Sequence, residues 1–195
     1  MTKNNLLETL KGFTEDTLKD LILPVQRQKE DKEPPMPRAP EVHIMGLADF
    51  TAAKKKAPYV FHQVITAKDW WTPGRSRPDS QATVRTVAAV YDLNNQEGQL
   101  AILELFERMR IALLEQGVIG GQFKLDYEAG VEYLIYPDNI PPFYAGEMVT
   151  VWKLPPVERE VKYGKQGDSN IKSGGPGAHS GRCPESGRHY GTQEQ

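Results

Sequence analysis

A chain of 195 residues with a formal charge of −2 and one cysteine suits a single domain with an appendage better than two domains. That charge gives no general attraction to nucleic acid or anionic lipid, whose binders carry a basic excess, and Cys183 alone closes no internal disulfide, which suits synthesis in a reducing compartment. No run nears the roughly 18 apolar residues of a membrane span, and the polar N-terminus does not read as a signal peptide.

Leu6, Leu7, Leu10, Phe13, Leu18, Leu21 and Ile22 recur at helical spacing, with Glu8, Lys11, Glu15, Asp16 and Lys19 on the other face. This predicts one amphipathic helix over residues 5–22, lying on a sheet. Asn5 with Glu8 forms a capping pair and Pro24 ends the pattern. Gly12, about 1 kcal/mol less favourable than Ala, does not cancel so strong a stripe. Residues 26–40 mix charges with prolines from Pro34 to Pro40 and read as a solvated connection. Glu41 to Leu47 is a short candidate strand interrupted by Gly46. Lys54-Lys55-Lys56 reads as a solvated loop rather than a phosphate contact, since no aromatic side chain stands beside it.

The strongest strand signals come next. Tyr59 to Thr66 and Ala82 to Tyr91 are rich in β-branched and aromatic residues. Between them, Trp70 to Asp79 contains Pro73-Gly74, a turn signal, so the segment reads as the tip of a long antiparallel hairpin. Trp70 and Trp71 either fold back on the body or contact a partner. Asn94 or Asn95 caps a second helix with Glu97 near its positive end, and Gly117 closes it. Its apolar residues, from Leu100 through Phe106 and Ile111 to Leu114, cover more than one stripe. The helix is therefore expected to touch the sheet and a further surface, either helix 1 or a neighbouring subunit.

Phe123–Tyr127 and Val131–Tyr136 resume the strand pattern, a loop runs from Pro137 to Pro142, and Gly146 to Leu154 forms a last strand. Beyond Pro155, apolar residues nearly vanish and glycines punctuate a polar segment that cannot offset the entropy of ordering. The expected organisation is an α+β body over residues 1–161 and a flexible Gly-rich tail over 162–195, disordered beyond about residue 163. The body is read as a single small domain with a mainly antiparallel, four- to five-stranded sheet and two helices, in the order α-β-β-β-α-β-β.

The motifs that carry chemistry are missing. There is no phosphate-binding Gly-x-x-x-x-Gly-Lys-Ser/Thr loop, no dinucleotide fingerprint and no Gly-x-Ser-x-Gly elbow. His179, Cys183 and His189 form the one cluster of zinc-ligand residue types, in the segment expected to be flexible. His62 alternates along a strand with apolar residues and reads as packed and hydrogen-bonded rather than as a base. Pairs such as Glu104 with Glu107 or Glu158 with Glu160 are ordinary solvated charges. No catalytic residue, metal or cofactor is expected, and the chain is read as a non-enzyme.

Several patches resemble proteins from the tail-morphogenesis regions of phages and prophages of Gram-positive bacteria. They are Lys56-Ala57-Pro58-Tyr59-Val60, Tyr136-Pro137-Asp138, Pro142-Phe143-Tyr144-Ala145-Gly146-Glu147-Met148 and Trp152-Lys153-Leu154-Pro155. The order of helices and strands is also similar to the tail terminator (tail completion) class. That resemblance spans Leu6 to Val161 and implies a hexameric ring of identical chains, part of the virion tail or neck and assembled in the host cytoplasm. Such a ring caps the tail tube and offers a surface to the head–tail connector. It implies as partners the chain itself, the tail tube protein and the connector or neck protein, with no membrane and no direct nucleic-acid binding. The alternatives are another neck, head–tail joining or tail assembly protein and, less in keeping with the residues, a small enzyme or nucleic-acid-binding module. The candidate interface is the hairpin tip: Trp70 and Trp71 as apolar anchors, with Arg75 and Arg77 as carboxylate partners. The opposing expectation packs both rings on their own domain and leaves the arginines in water.

Overall fold

The computed structural model describes residues 2–27, 33–47, 57–75 and 77–157. One compact unit spans Met1–Arg159, and a second unit, Glu160–Gln195, lies outside the described residues. The expectations for Lys54-Lys55-Lys56, the Glu158–Glu160 pair, the His179, Cys183 and His189 cluster and the Gly-rich tail also fall outside them.

Helix α1 (Lys3–Leu18) buries Leu6, Leu7, Leu10, Thr14 and Leu18, a stripe at i, i+4 and i+8 that one helix face presents to a sheet. Its ends differ from those expected. The N-cap is Thr2, whose hydroxyl donates to Asn5 Oδ1 at 3.1 Å, so Asn5 lies inside the helix. Leu21 and Leu23 are buried after the helix has ended, because the chain there is extended. Leu23 exchanges both backbone hydrogen bonds with Arg38, at 2.9 and 3.0 Å. The expected stripe counted Leu21 and Ile22 as a last helical turn, but Ile22 is exposed and the burial passes to Leu23 instead.

The sheet contains β1 (Glu41–Ile44), β2 (Tyr59–Trp70), β3 (Asp79–Tyr91), β4 (Val118–Ile119), β5 (Phe123–Leu125), β6 (Val131–Ile135) and β7 (Phe143–Lys153). The spatial order is β1-β2-β3-β7-β5-β4, with β6 also pairing with β7. Among the described residues only the β1–β2 pair is parallel. The α+β class, two helices and mainly antiparallel sheet are as the sequence predicts. The strand count is higher because β4, two residues long, is too short to leave a period in the sequence, and because the Phe123–Leu125 and Val131–Ile135 runs, both read as strands, pair separately with β7. β2 and β3 also run further toward the hairpin tip than their β-branched cores suggest, past a bulge between Val64 and Thr66.

Helix α2 (Asn95–Gln116) follows β3. Asn94 caps it, its Oδ1 accepting from the Gln96 and Glu97 N–H groups at 3.0 and 3.5 Å. Gly117 closes it at φ 62°, donating to the Leu113 carbonyl. Both helices lie on one face of the sheet. Ile102, Leu105, Phe106 and Met109 of α2 meet Tyr144, Met148 and Trp152 of β7, all fully buried or nearly so. Burial of each such side chain stabilises the fold by about 1.5–3 kcal/mol relative to exposure. Gly98 makes room for the buried Tyr144 ring, since a Cβ there would sit 2.1 Å from it and force a shift. Helix α1 covers part of the wide apolar surface of α2, while Leu100, Leu103 and Ile111 remain substantially exposed along its outer side.

Candidate assembly interface at the hairpin tip

The last pair joining β3 to β7 is Gln81 with Lys153, so residues 71–75 with Arg77 and Pro78 extend past the body of the sheet. Its turn is local chemistry. Arg75 N–H donates to the Thr72 carbonyl at 3.1 Å across Pro73-Gly74, and Gly74 has φ 83°. Proline first and a positive-φ glycine second is the type II pattern. Asp79 fastens the loop from below, accepting from the Thr72 hydroxyl at 2.6 Å and from the Arg75 guanidinium at 2.5 Å.

The two tryptophans diverge. Trp70 ends β2 opposite Asp79 and is partly covered, with the Lys68 ammonium 5.3 Å from its ring centre. Trp71 is 61% exposed. Trp70, Arg75, Arg77, Asp79, Lys153 and Leu154 line a groove of about 630 Å³ between the tip and the end of β7. Three of the four expected interface residues therefore share one depression, and Trp71 stands outside it. Arg75 already has a carboxylate in its own chain, and Arg77 is engaged within the chain as well.

Lys153 and Leu154 were not among the expected residues. Their membership follows from the β3–β7 register, for which the sequence carries no local signal. Lys153 is held by Asp126, whose Oδ1 accepts from Nζ at 2.9 Å, while Gln81 donates to the other oxygen at 3.1 Å. The Lys153 ammonium holds the Asp126 carboxyl below its usual range. Asp69 ties the hairpin to α1, accepting from the Ser80 hydroxyl at 2.5 Å and from Lys3 at 2.9 Å, and both bonds lower its pKa.

Strand alternation places the odd-numbered residues of β3 and β7 on the face away from the helices. Arg85 and Tyr136 converge there on Glu147 Oε2, at 2.5 and 3.0 Å. Nearby, Tyr59 stacks against Phe61 with ring centres 6.3 Å apart, and Tyr91 meets Phe143 at 5.4 Å. With Ala57, Leu47, Ala89 and Ala145 they form a second apolar cluster, separate from the main core.

His62 is fully buried on the helix face. Its Nε2 is 3.0 Å from the Thr14 hydroxyl and its Nδ1 is 2.8 Å from that of Thr86. Burial pushes its pKa down to about 3, so the ring is neutral and one nitrogen donates while the other accepts. Both nitrogens are occupied by threonines of α1 and β3, which makes the residue a clamp between layers. Among the described residues no group of three His, Cys, Asp or Glu side chains is placed to hold a metal, and no helix is long and apolar enough to cross a membrane.

No protein-family model and no curated protein sequence matches the chain. One solved structure aligns over 78% of this chain and 97% of its own length, with 12% identity and a TM-score of 0.35, a likeness too low to carry any argument.

Proposed function

We propose that this chain is a structural, non-catalytic component of a phage tail: a tail terminator whose copies form a ring that caps the tail tube and offers a joining surface to the head connector. In this reading the chain resides in the tail or neck of the virion and is assembled in the host cytoplasm. The sequence patches given above are the source of the family reading. The observation that carries it further is the hairpin tip, where an exposed tryptophan and a groove bearing three cations extend past the sheet. Apolar anchors rimmed by charge are what a protein interface uses, and identical chains that meet head to tail form a ring when the rotation between neighbours closes.

Light scattering on the gel-filtered protein and negative-stain microscopy test this reading. A closed ring is expected, six-fold by the resemblance. The double variant Trp70→Ala with Trp71→Ala is expected to fold, give the circular dichroism of the wild type and form no rings. A wild type that stays monomeric at all concentrations would overturn the ring and favour a different head–tail joining or tail assembly role.

A further inference from the structure

Among the described residues, β6 and the distal half of β2 each leave one strand edge unpaired, and we propose that they are the two halves of one interface, in which β6 of one copy pairs antiparallel with the distal half of β2 in the next. The inference rests on the ring reading and names the surface through which the ring closes.

β1 covers β2 only along Tyr59–His62. The last bond on that side runs from the Met45 N–H to the His62 carbonyl at 2.7 Å, so His62 turns its backbone groups away from β3. By alternation Val64 does the same, as do Ala67 and Asp69 beyond the bulge, where Ala67 faces Ala82 and Asp69 faces Ser80. Residues 65–69 are exposed on both sides of the strand. This is an open edge several residues long among the described residues.

On the other side of the sheet β6 pairs, among the described residues, with β7 alone. The Tyr136 N–H donates to the Ala145 carbonyl at 3.1 Å. Alternation from that bond directs the backbone groups of Leu134 and Glu132 toward β7, and those of Val131, Tyr133 and Ile135 outward. β6 contains no lysine or proline to blunt this edge, although an unprotected edge invites pairing with another chain.

Strand sense selects the partner. β2 runs antiparallel to β3, β3 to β7 and β7 to β6, so the two open edges run in opposite directions. A second copy carried sideways along the sheet by rotation therefore presents its β2 antiparallel to the first copy's β6.

Side chains select the register. Placing exposed Glu132 opposite exposed Lys68 sets Leu134, which is 53% exposed, against the methyl-bearing Thr66. On the helix face the same register sets Tyr133 against the small, exposed Ala67 and Val131 against Asp69. Both alternations agree with it: the odd residues of β6 and the outward-turned Ala67 and Asp69 become hydrogen-bonded pairs. Pairing β6 with β6 of a second copy about Glu132 would bring two like charges together, which is destabilising across strands, and pairing it about Tyr133 would leave Glu132 facing Leu134 with no opposite charge.

Cross-linking tests the pairing. In a Cys183→Ser background, Lys68→Cys and Glu132→Cys variants are co-expressed with different tags, purified and mildly oxidised. Directly opposed residues in this register have Cα atoms about 4.5–5.5 Å apart, within disulfide range. A mixed dimer band is expected from the pair, none from either variant alone, and a ladder ending in a closed species from the double variant. Oligomeric rings without the mixed band would overturn this pairing and leave the ring reading intact. A homodimer band from Glu132→Cys alone would also overturn it, in favour of a two-fold edge contact. A monomer by light scattering would overturn both.

Discussion

His62 makes a quantitative test of the packing between layers. The buried ring is neutral in the folded protein, with a pKa near 3, whereas an unfolded chain has an ordinary histidine near 6.5. Between those values the unfolded state holds one more proton, so stability rises with pH and is lost on acidification. Integrating that one-proton difference gives a loss of about 2 kcal/mol between pH 7 and pH 5. Asp69 and Asp126 are held below the usual carboxylate range, by Ser80 with Lys3 and by Lys153. Their stabilisation is present above the unfolded carboxylate pKa of about 4 and fades only below it, outside this window. Urea unfolding followed by far-UV circular dichroism at pH 7, 6 and 5, at fixed protein concentration, measures the slope. His62→Gln keeps a neutral polar group beside Thr14, gives up the bond to Thr86 and removes the titration. It is expected to be less stable at pH 7 by about 1–3 kcal/mol, with a flatter pH profile. Equal losses in variant and wild type between pH 7 and pH 5 would refute the clamp.

Gly98→Ala is expected to destabilise the protein by about 1–3 kcal/mol in urea unfolding, because the new methyl meets the Tyr144 ring and overpacks the core. The sign is informative, since helix propensity alone predicts a gain of about 1 kcal/mol. Asp126→Asn is expected to cost about 1–2 kcal/mol at pH 7 by weakening the charge-assisted bond to Lys153, and to cost less as the pH falls below the unfolded carboxylate pKa of about 4. Trp71→Ala alone is expected to leave unfolding within about 0.5 kcal/mol of wild type, as exposed substitutions do, while reducing ring formation in light scattering. Truncation after Val161 is expected to leave the melting temperature unchanged by calorimetry.

What the sequence conveyed was mostly local. The stripe from Leu6 to Leu18, the Asn94 cap, the Gly117 stop and the Pro73-Gly74 turn each act through neighbours a few residues away, and each is in the structure. His62 was legible as a packed residue because it alternates with apolar neighbours. Its threonine partners were not, since Thr14 and Thr86 lie 48 and 24 residues away. Helix α1 stops short of Leu21 and Ile22 because the chain turns after Leu18, where the Leu21 N–H donates to the Leu18 carbonyl, and Leu23 then pairs with Arg38. Part of the tip was read correctly as a tip, yet the groove beside it needs Lys153 and Leu154, which the β3–β7 register delivers. That register is fixed by packing between Val84, Ala88 and the helices, which no local pattern encodes.

The position of β7 also orders events during synthesis. This strand comes last among the described elements but lies inside the sheet, with β3 on one side and β5 and β6 on the other. The β2–β3 hairpin and α2 can form from nearby residues, whereas Val84 must wait for Thr150, 66 residues later. Contacts so distant in sequence slow folding. A nascent chain therefore holds the inner face of α2 and the open edge of β3 uncovered until Lys153 has cleared the ribosome, and β7 then closes the core. Chains arrested before that point should be chaperone clients, and chains arrested just after it should resist protease.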